Sequence, residues 1–295
     1  MPGKGCGRLG NTVVGEFNRL VNIRINRSVN TWGSVRRIQG CYCPLVMEPS
    51  KRDESKICGQ HACRAIFAQR PQDIIRVFVS DTMTQEFGSL LKFCAEHKMA
   101  YRLVGDAELE KVSGARHHEG ICIVAQAQEP VALADLLSQA GPGLILALDG
   151  VGNPHNIGTL LRTAAHFGAR AVLVGGPLRK LSSAAYRTAE GAAEHVGVVF
   201  AEDLSPLLRQ CSEAGYTVCA TSSHKGQDLY ANPLPERTCI LLGAERDGLS
   251  PGLMQDADLR LCIPGTSAVE SLNVASSAAV FLAEHWRSHA TPTSP

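Results

Sequence analysis

Nowhere in its 295 residues does the chain hold an apolar run long enough to cross a membrane. No signal peptide is read at its start, where the first apolar residues are scattered among arginines and asparagines. No G-x-G-x-x-G follows a strand-like run and no G-x-x-x-x-G-K-[ST] is present, so neither a dinucleotide fold nor a P-loop is supported. Internal repeats are also missing. Cysteine is not scarce: eleven are spread from Cys6 to Cys262. What they lack is metal-ligand spacing. Neither Cys41-Tyr42-Cys43 nor Cys58 with Cys63 has a second close pair or a histidine pair to complete a zinc centre, so no metal is expected. Most of the thiols sit in apolar runs, which suits buried, reduced cysteines in a cytoplasmic protein.

A net charge of +1 hides an asymmetry. Residues 1–52 hold nine Lys/Arg and only Glu16 and Glu48 as acids, so the rest of the chain is net negative. A basic arm on a mildly acidic body suits a polyanionic partner. The same segment has poor periodicity, and Met47 opens a stretch that resembles an ordinary start. Residues 1–52 are therefore read as a basic extension, either disordered or translated from a start codon placed too early. Their Arg-rich, acid-poor character also weakly resembles a transit peptide.

With 44% hydrophobic residues the chain can build two domains. The spacing of Ile57–Phe67 predicts a helix that stops before Pro71. A strand at 74–79, a helix at 87–97, a strand at 101–104, a short helix opened by Asp106 and a strand at 120–125 follow. Residues 53–128 thus read as a small α/β domain. Pro130, Gly141, Pro142 and Gly143 mark 129–143 as a linker with a short helix near 133–139. From Leu144 to residue 288 strands and helices alternate again: strands at 144–148, 171–174, 196–200, 217–221, 239–242 and 259–263, with helices at 157–167 and 273–286 among those between. A strand–helix–strand unit of this kind places its strands parallel. The tail, 289–295, is expected to fray.

Three segments stand out. Asn153-Pro154-His155-Asn156-Ile157-Gly158-Thr159-Leu160-Leu161-Arg162 opens a helix. Leu242-Gly243-Ala244-Glu245-Arg246-Asp247-Gly248-Leu249-Ser250 leaves a strand, as does Ile263-Pro264-Gly265-Thr266-Ser267-Ala268-Val269-Glu270-Ser271-Leu272-Asn273. Small residues let a ligand touch the backbone, and open α/β sheets bind ligands beyond the carboxyl ends of their strands. Read alone, these are also ordinary βα loops. Ser271 and Asn273 are both good caps for the final helix.

In this order the three segments resemble the signature motifs of the SpoU (TrmH-like) RNA 2′-O-ribose methyltransferases, of the SPOUT class. The resemblance covers 144–287 closely and 56–126 loosely. It implies a SPOUT-type parallel sheet with a C-terminal trefoil knot, preceded by a small α/β RNA-binding domain. It further implies S-adenosylmethionine held in the knot largely by backbone groups at Gly243, Ile263 and Leu272, with Leu242 and Asn273 as neighbours in the cofactor site. The catalytic set it implies is Arg162, Asn156, Glu245, Ser271 and Asn273, acting on a ribose 2′-hydroxyl of structured rRNA or tRNA. A homodimer built on 144–287, through the first-motif helix and the final helix, is expected as well. Arg162 would clamp a substrate phosphate or favour a developing alkoxide; without the motif it is one solvated helix arginine. Glu245 would orient Arg162 or Asn156. His61, His117 and His118 are candidates for contact with RNA, and also fit ordinary surface or turn histidines. Two departures from the family pattern are Ser267 and the pair Arg246-Asp247. The rival expectation is a SpoU-like RNA-binding protein without turnover.

Overall fold

Two sheets organise the molecule in a computed structural model that describes residues 54–128, 131–223, 225–266 and 268–289. The basic segment 1–52, Ser267 and the tail beyond His289 lie outside the described residues. The first sheet holds β1 (Glu54–Cys58), β2 (Ile74–Val79), β3 (Ala100–Leu103) and β4 (Ile121–Gln126). Their order is β1-β4-β2-β3, with β4 antiparallel to both neighbours and β2 parallel to β3. Residues of β4 alternate between two buried faces. Ile121, Ile123 and Ala125 join Ala62 and Ile66 of α1 (Gln60–Gln69) and Leu90 and Cys94 of α2 (Gly88–Glu96). Cys122 and Val124 pack with Leu109 of α3 (Asp106–Ser113) on the other side. This is the period-two pattern of a strand covered on both faces.

One expected helix is corrected here. Ile57 and Cys58 close β1, and α1 begins only at Gln60. The exposed–buried alternation of Glu54, Ser55, Lys56 and Ile57 is that of a strand. The strand is five residues long, and its apolar end abuts the helix, so the two share a run that also fits helical spacing.

The second sheet contains β5 (Gly143–Asp149), β6 (Ala171–Gly175), β7 (Gly197–Ala201), β8 (Thr217–Thr221), β9 (Gln227–Asp228), β10 (Arg237–Gly243) and β11 (Leu259–Cys262). Every pairing is parallel, in the order β7-β6-β5-β10-β8-β11-β9. One face carries Leu144, Leu146, Leu148 and Ile240 against α5 (Pro154–His166), α6 (Ser183–Ala189) and α9 (Val274–His289). The other carries Ile145, Ala147, Leu173 and Leu241 against α4 (Leu133–Leu137), α7 (Ser205–Glu213) and α8 (Pro251–Asp256). Strands covered on both faces explain the near-continuous apolar runs in the sequence.

Strand order decides where a ligand can sit. From β5 the chain steps outward to β6 and β7, then returns to β8, leaving a place that β10 fills later. The reversal falls between β5 and β10, whose carboxyl ends are Asp149 and Gly243, and open parallel sheets bind ligands beyond such ends. β11 enters between β8 and β9, and Gly226, just before β9, lies against it. The approach is close: a Cβ on Gly226 would lie 2.8 Å from the Leu261 carbonyl carbon and 2.9 Å from the Cys262 nitrogen.

The two sheets are tied together. Arg70, at the end of α1, donates Nε to Glu194 Oε2 at 2.7 Å and Nη2 to Oε1 at 3.0 Å. Glu194 ends a 3-10 turn, Ala192–Glu194, beside the second sheet. Both side chains are buried, at 9% and 2% exposure.

Candidate functional site

A cavity of about 1010 Å³ opens at the carboxyl ends of β8, β10 and β11. The loop 242–249 and the segments 263–266 and 268–274 line it, with Thr221–Ser223 and Phe281 of α9 completing the wall. Its volume is at the upper end of the range of small-molecule pockets. All of the expected cofactor positions, Leu242, Gly243, Ile263, Leu272 and Asn273, lie on this wall.

The 243–250 loop is held by its own backbone. The Gly248 N–H donates to the Ala244 carbonyl at 2.9 Å, and Ala244 bridges Gly248. The Ser250 N–H donates to Asp149 Oδ2 at 2.8 Å, tying the loop to the end of β5. Gly243 is required by this fold-back: a side-chain carbon there would collide with the Gly248 carbonyl and the Leu249 nitrogen. The close backbone approach at Gly243 is therefore first of all to the loop itself.

Two amides from distant segments meet at one carboxylate. Asn156 Nδ2 donates to Glu245 Oε1 at 3.0 Å, and Asn273 Nδ2 donates to the same oxygen. Local chemistry sets each donor. Asn153 caps α5, its Oδ1 accepting the His155 N–H at 2.9 Å, with Pro154 in the first turn, which places Asn156 one turn in. Asn273 caps α9, its Oδ1 accepting the Ala275 N–H at 2.8 Å. That bond fixes the side chain so that its amide faces Glu245. Of the two helix-capping candidates, Asn273 therefore does the capping. Ser271 is exposed in the preceding loop, on the cavity wall.

Arg162 is not part of this cluster. It lies on the exposed side of α5, and its Nη1 is 2.8 Å from Glu190 Oε1. Glu245 thus orients Asn156, and Glu190 holds Arg162. Nothing in the sequence marked Glu190, because the pairing depends on how α5 and α6 cross. They cross closely at Gly158, where a Cβ would lie 2.7 Å from the Ala185 carbonyl oxygen. Asp149 and the Thr221–Ser223 wall carry no local signal in the sequence, since they join the site only through strand order.

The candidate RNA-contact histidines separate. His61 and His117 are exposed. His118 is buried, and its Nδ1 accepts the Gly120 N–H at 3.2 Å. It therefore shapes the turn into β4 and presents little surface. Among the described residues no group of His, Cys, Asp and Glu could hold a metal ion.

Two families match this architecture. Residues 143–283 match the SpoU rRNA Methylase family, and residues 56–131 match the RNA 2′-O ribose methyltransferase substrate-binding family. The chain is 38% identical over 245 residues to the uncharacterized tRNA/rRNA methyltransferase YfiF of Escherichia coli O157:H7, covering 83% of this chain and 71% of that protein. It is 32% identical over 241 residues to the 23S rRNA (guanosine-2′-O-)-methyltransferase RlmB of Neisseria meningitidis serogroup B, covering 79% and 94%. Among solved structures, an RNA 2′-O ribose methyltransferase aligns with a TM-score of 0.65 at 26% identity, covering 80% of this chain and 89% of that one. The SpoU methyltransferase AviRb from Streptomyces viridochromogenes, in complex with AdoMet, shares the fold at a TM-score of 0.67 and 18% identity, covering 80% and 90%.

Proposed function

The chain belongs to the SpoU rRNA Methylase family, and on that premise we propose how its residues divide the work of methylating a ribose 2′-hydroxyl in RNA. The methyl donor is S-adenosylmethionine, which supplies an electrophilic methyl on a sulfonium. The observation that carries the assignment is the convergence of Asn156, Glu245 and Asn273 beside a cavity built by two of their own loops. That cavity suits a nucleoside-like ligand, because its wall offers backbone groups of small residues and the buried Leu242.

In this reading Leu242, Gly243, Ile263 and Leu272 present backbone groups to the cofactor. Glu245 locks Asn156 and Asn273, which fixes the two loops relative to α5. Ser271, exposed at the mouth, positions the ribose. Arg162 grips a phosphate of the substrate with its planar two-pronged guanidinium and favours the negative charge developing on the 2′-oxygen. Guanidinium does not give up its proton at neutral pH, so Arg162 acts by its charge and not as the acceptor of the hydroxyl proton. Alignment of the hydroxyl with the methyl is most of the remaining task.

The small α/β domain, with His61 and His117 exposed, is the proposed RNA grip. A trefoil knot is proposed for the C-terminal segment, supported by the insertion of β11 between β8 and β9 and by the close approach of Gly226 to Leu261 and Cys262. A two-fold homodimer through α5 and α9 is supported by Trp286, 45% exposed on α9 and lying beside Gly168 at the end of α5. Light scattering that gave a monomer at micromolar concentration would overturn the dimer. No helix among the described residues is long and apolar enough to cross a membrane. A cytoplasmic site of action is part of the proposal and is checked by fractionation.

The deciding assay is tritium transfer from S-adenosylmethionine to ribosomal and transfer RNA isolated from cells lacking the protein. Arg162→Ala is expected to keep cofactor affinity and to lose about a hundredfold or more in rate, the scale of losing one preorganised charge-stabilising donor. Arg162→Lys restores little, because a point charge cannot reproduce the two-pronged grip. Full activity in Arg162→Ala would refute its role. No transfer by the unmodified protein to either RNA class would favour an RNA-binding protein without turnover.

A further inference from the structure

Arg162 is already occupied by an anion of the protein's own. Its guanidinium lies 2.8 Å from Glu190 Oε1. Glu190 is one of three non-glycine residues with positive φ among those described, at 48°, where it closes α6 in the left-handed region. Such a position is uncommon for a glutamate and is kept only where surrounding structure holds it. Here the next residue supplies the hold. Gly191, at φ 90°, packs on α1 of the small domain: a Cβ there would lie 2.7 Å from the Ala65 Cβ and 3.2 Å from the His61 carbonyl oxygen. Two independent features thus fix where the carboxylate stands, namely the turn that ends α6 and the seating of that turn against the small domain.

We propose that Glu190 is a built-in phosphate surrogate, holding Arg162 while RNA is absent and yielding it to a substrate phosphodiester. The proposal rests on the reading of Arg162 as the phosphate grip. A carboxylate oxygen meets a guanidinium nitrogen here at 2.8 Å, the kind of contact that a phosphodiester oxygen makes in its place. The pair is also displaceable. Its side chains are 58% and 41% exposed, and ion pairs with that much contact with water contribute little. A phosphate placed at Arg162 therefore displaces the carboxylate at small cost, whereas a polyanion that places none there leaves the pair intact. Because Gly191 rests on α1, the same contact makes the pair sensitive to how the small domain sits when it holds RNA.

The test is a double-mutant cycle read as RNA affinity. Wild type, Glu190→Gln, Arg162→Ala and the double variant are titrated by fluorescence anisotropy. The probe is labelled ribosomal RNA fragments from cells lacking the protein, with S-adenosylhomocysteine present to prevent turnover. Cofactor affinity and thermal melting confirm folding, and Glu190→Asn serves as a second variant because asparagine tolerates the left-handed region. Arg162→Ala is expected to weaken binding. Glu190→Gln is expected to tighten it about three- to fivefold, the scale of one exposed ion pair. That gain should vanish in the Arg162→Ala background. If Arg162→Ala weakens binding but Glu190→Gln does not tighten it, Glu190 has no such role and the reading of Arg162 stands. A gain that persists in the double variant would mean general charge removal and would overturn the proposal. Unchanged affinity in Arg162→Ala would remove the underlying reading and the proposal with it.

Discussion

Removing Arg70 should loosen the whole described body, because its partner cannot be left alone where it stands. Glu194 is 2% exposed and receives both Nε and Nη2 of Arg70. Arg70 Nη1 also donates to the Gln126 carbonyl at 2.8 Å, so the guanidinium joins the ends of α1 and β4 to the second sheet. In Arg70→Met the carboxylate keeps Gln128 Nε2 at 2.9 Å and loses its counter-charge. Stranding one partner of a buried ion pair costs about 3–5 kcal/mol. At roughly 2–4 °C per kcal/mol for a unit of this size, the melting temperature should fall by about 6–20 °C. Replacing both partners, Arg70→Met with Glu194→Leu, removes the stranded charge and should recover most of the loss, to within about 1–2 kcal/mol of wild type. Urea unfolding followed by circular dichroism measures all three proteins. A loss below about 1 kcal/mol in Arg70→Met would refute the reasoning, since it would mean that water reaches Glu194 and the pair is not a buried tie.

Two further outcomes follow from close packing and from the thiols. Gly226→Val places two methyl groups where the backbone of β11 already stands, so it should yield little folded protein, and a soluble Gly226→Val with wild-type melting would show that the connection does not press on the strand. Burial pushes the thiols of Cys58 and Cys94 up to about 11 and those of Cys122 and Cys219 up to about 12. Below about pH 8.5 these thiols are protonated in both states; above it the unfolded chain releases protons that the folded chain retains, so stability falls as pH rises. The slope is about 1.4 kcal/mol per pH unit for each such thiol, and a urea midpoint unchanged between pH 8.5 and 10 would contradict the burial.

Much of the site could be read locally because its parts are helix caps and turns. Asn153-Pro154 and Asn273 begin helices by rules that act within four residues, and Asn156 and Arg162 then fall on α5 at fixed rotations. The alternation of strands and helices likewise announced a parallel sheet, since burial on both faces writes itself into the apolar runs. Where two local signals overlapped, the reading failed, as at β1, whose five residues run into α1. The burial of His118 was not legible either, because burial is a property of its surroundings and not of its own segment. The tertiary structure alone decided which partner each charged side chain took. Glu245 could have served Arg162 or Asn156, and the insertion of β10 beside β5 gave it Asn156. Arg162 went instead to Glu190, 28 positions along the chain, because α6 crosses α5 close enough to leave no room for a Cβ at Gly158. Strand order and helix crossing are set by how whole faces pack, and no short window of sequence carries that information.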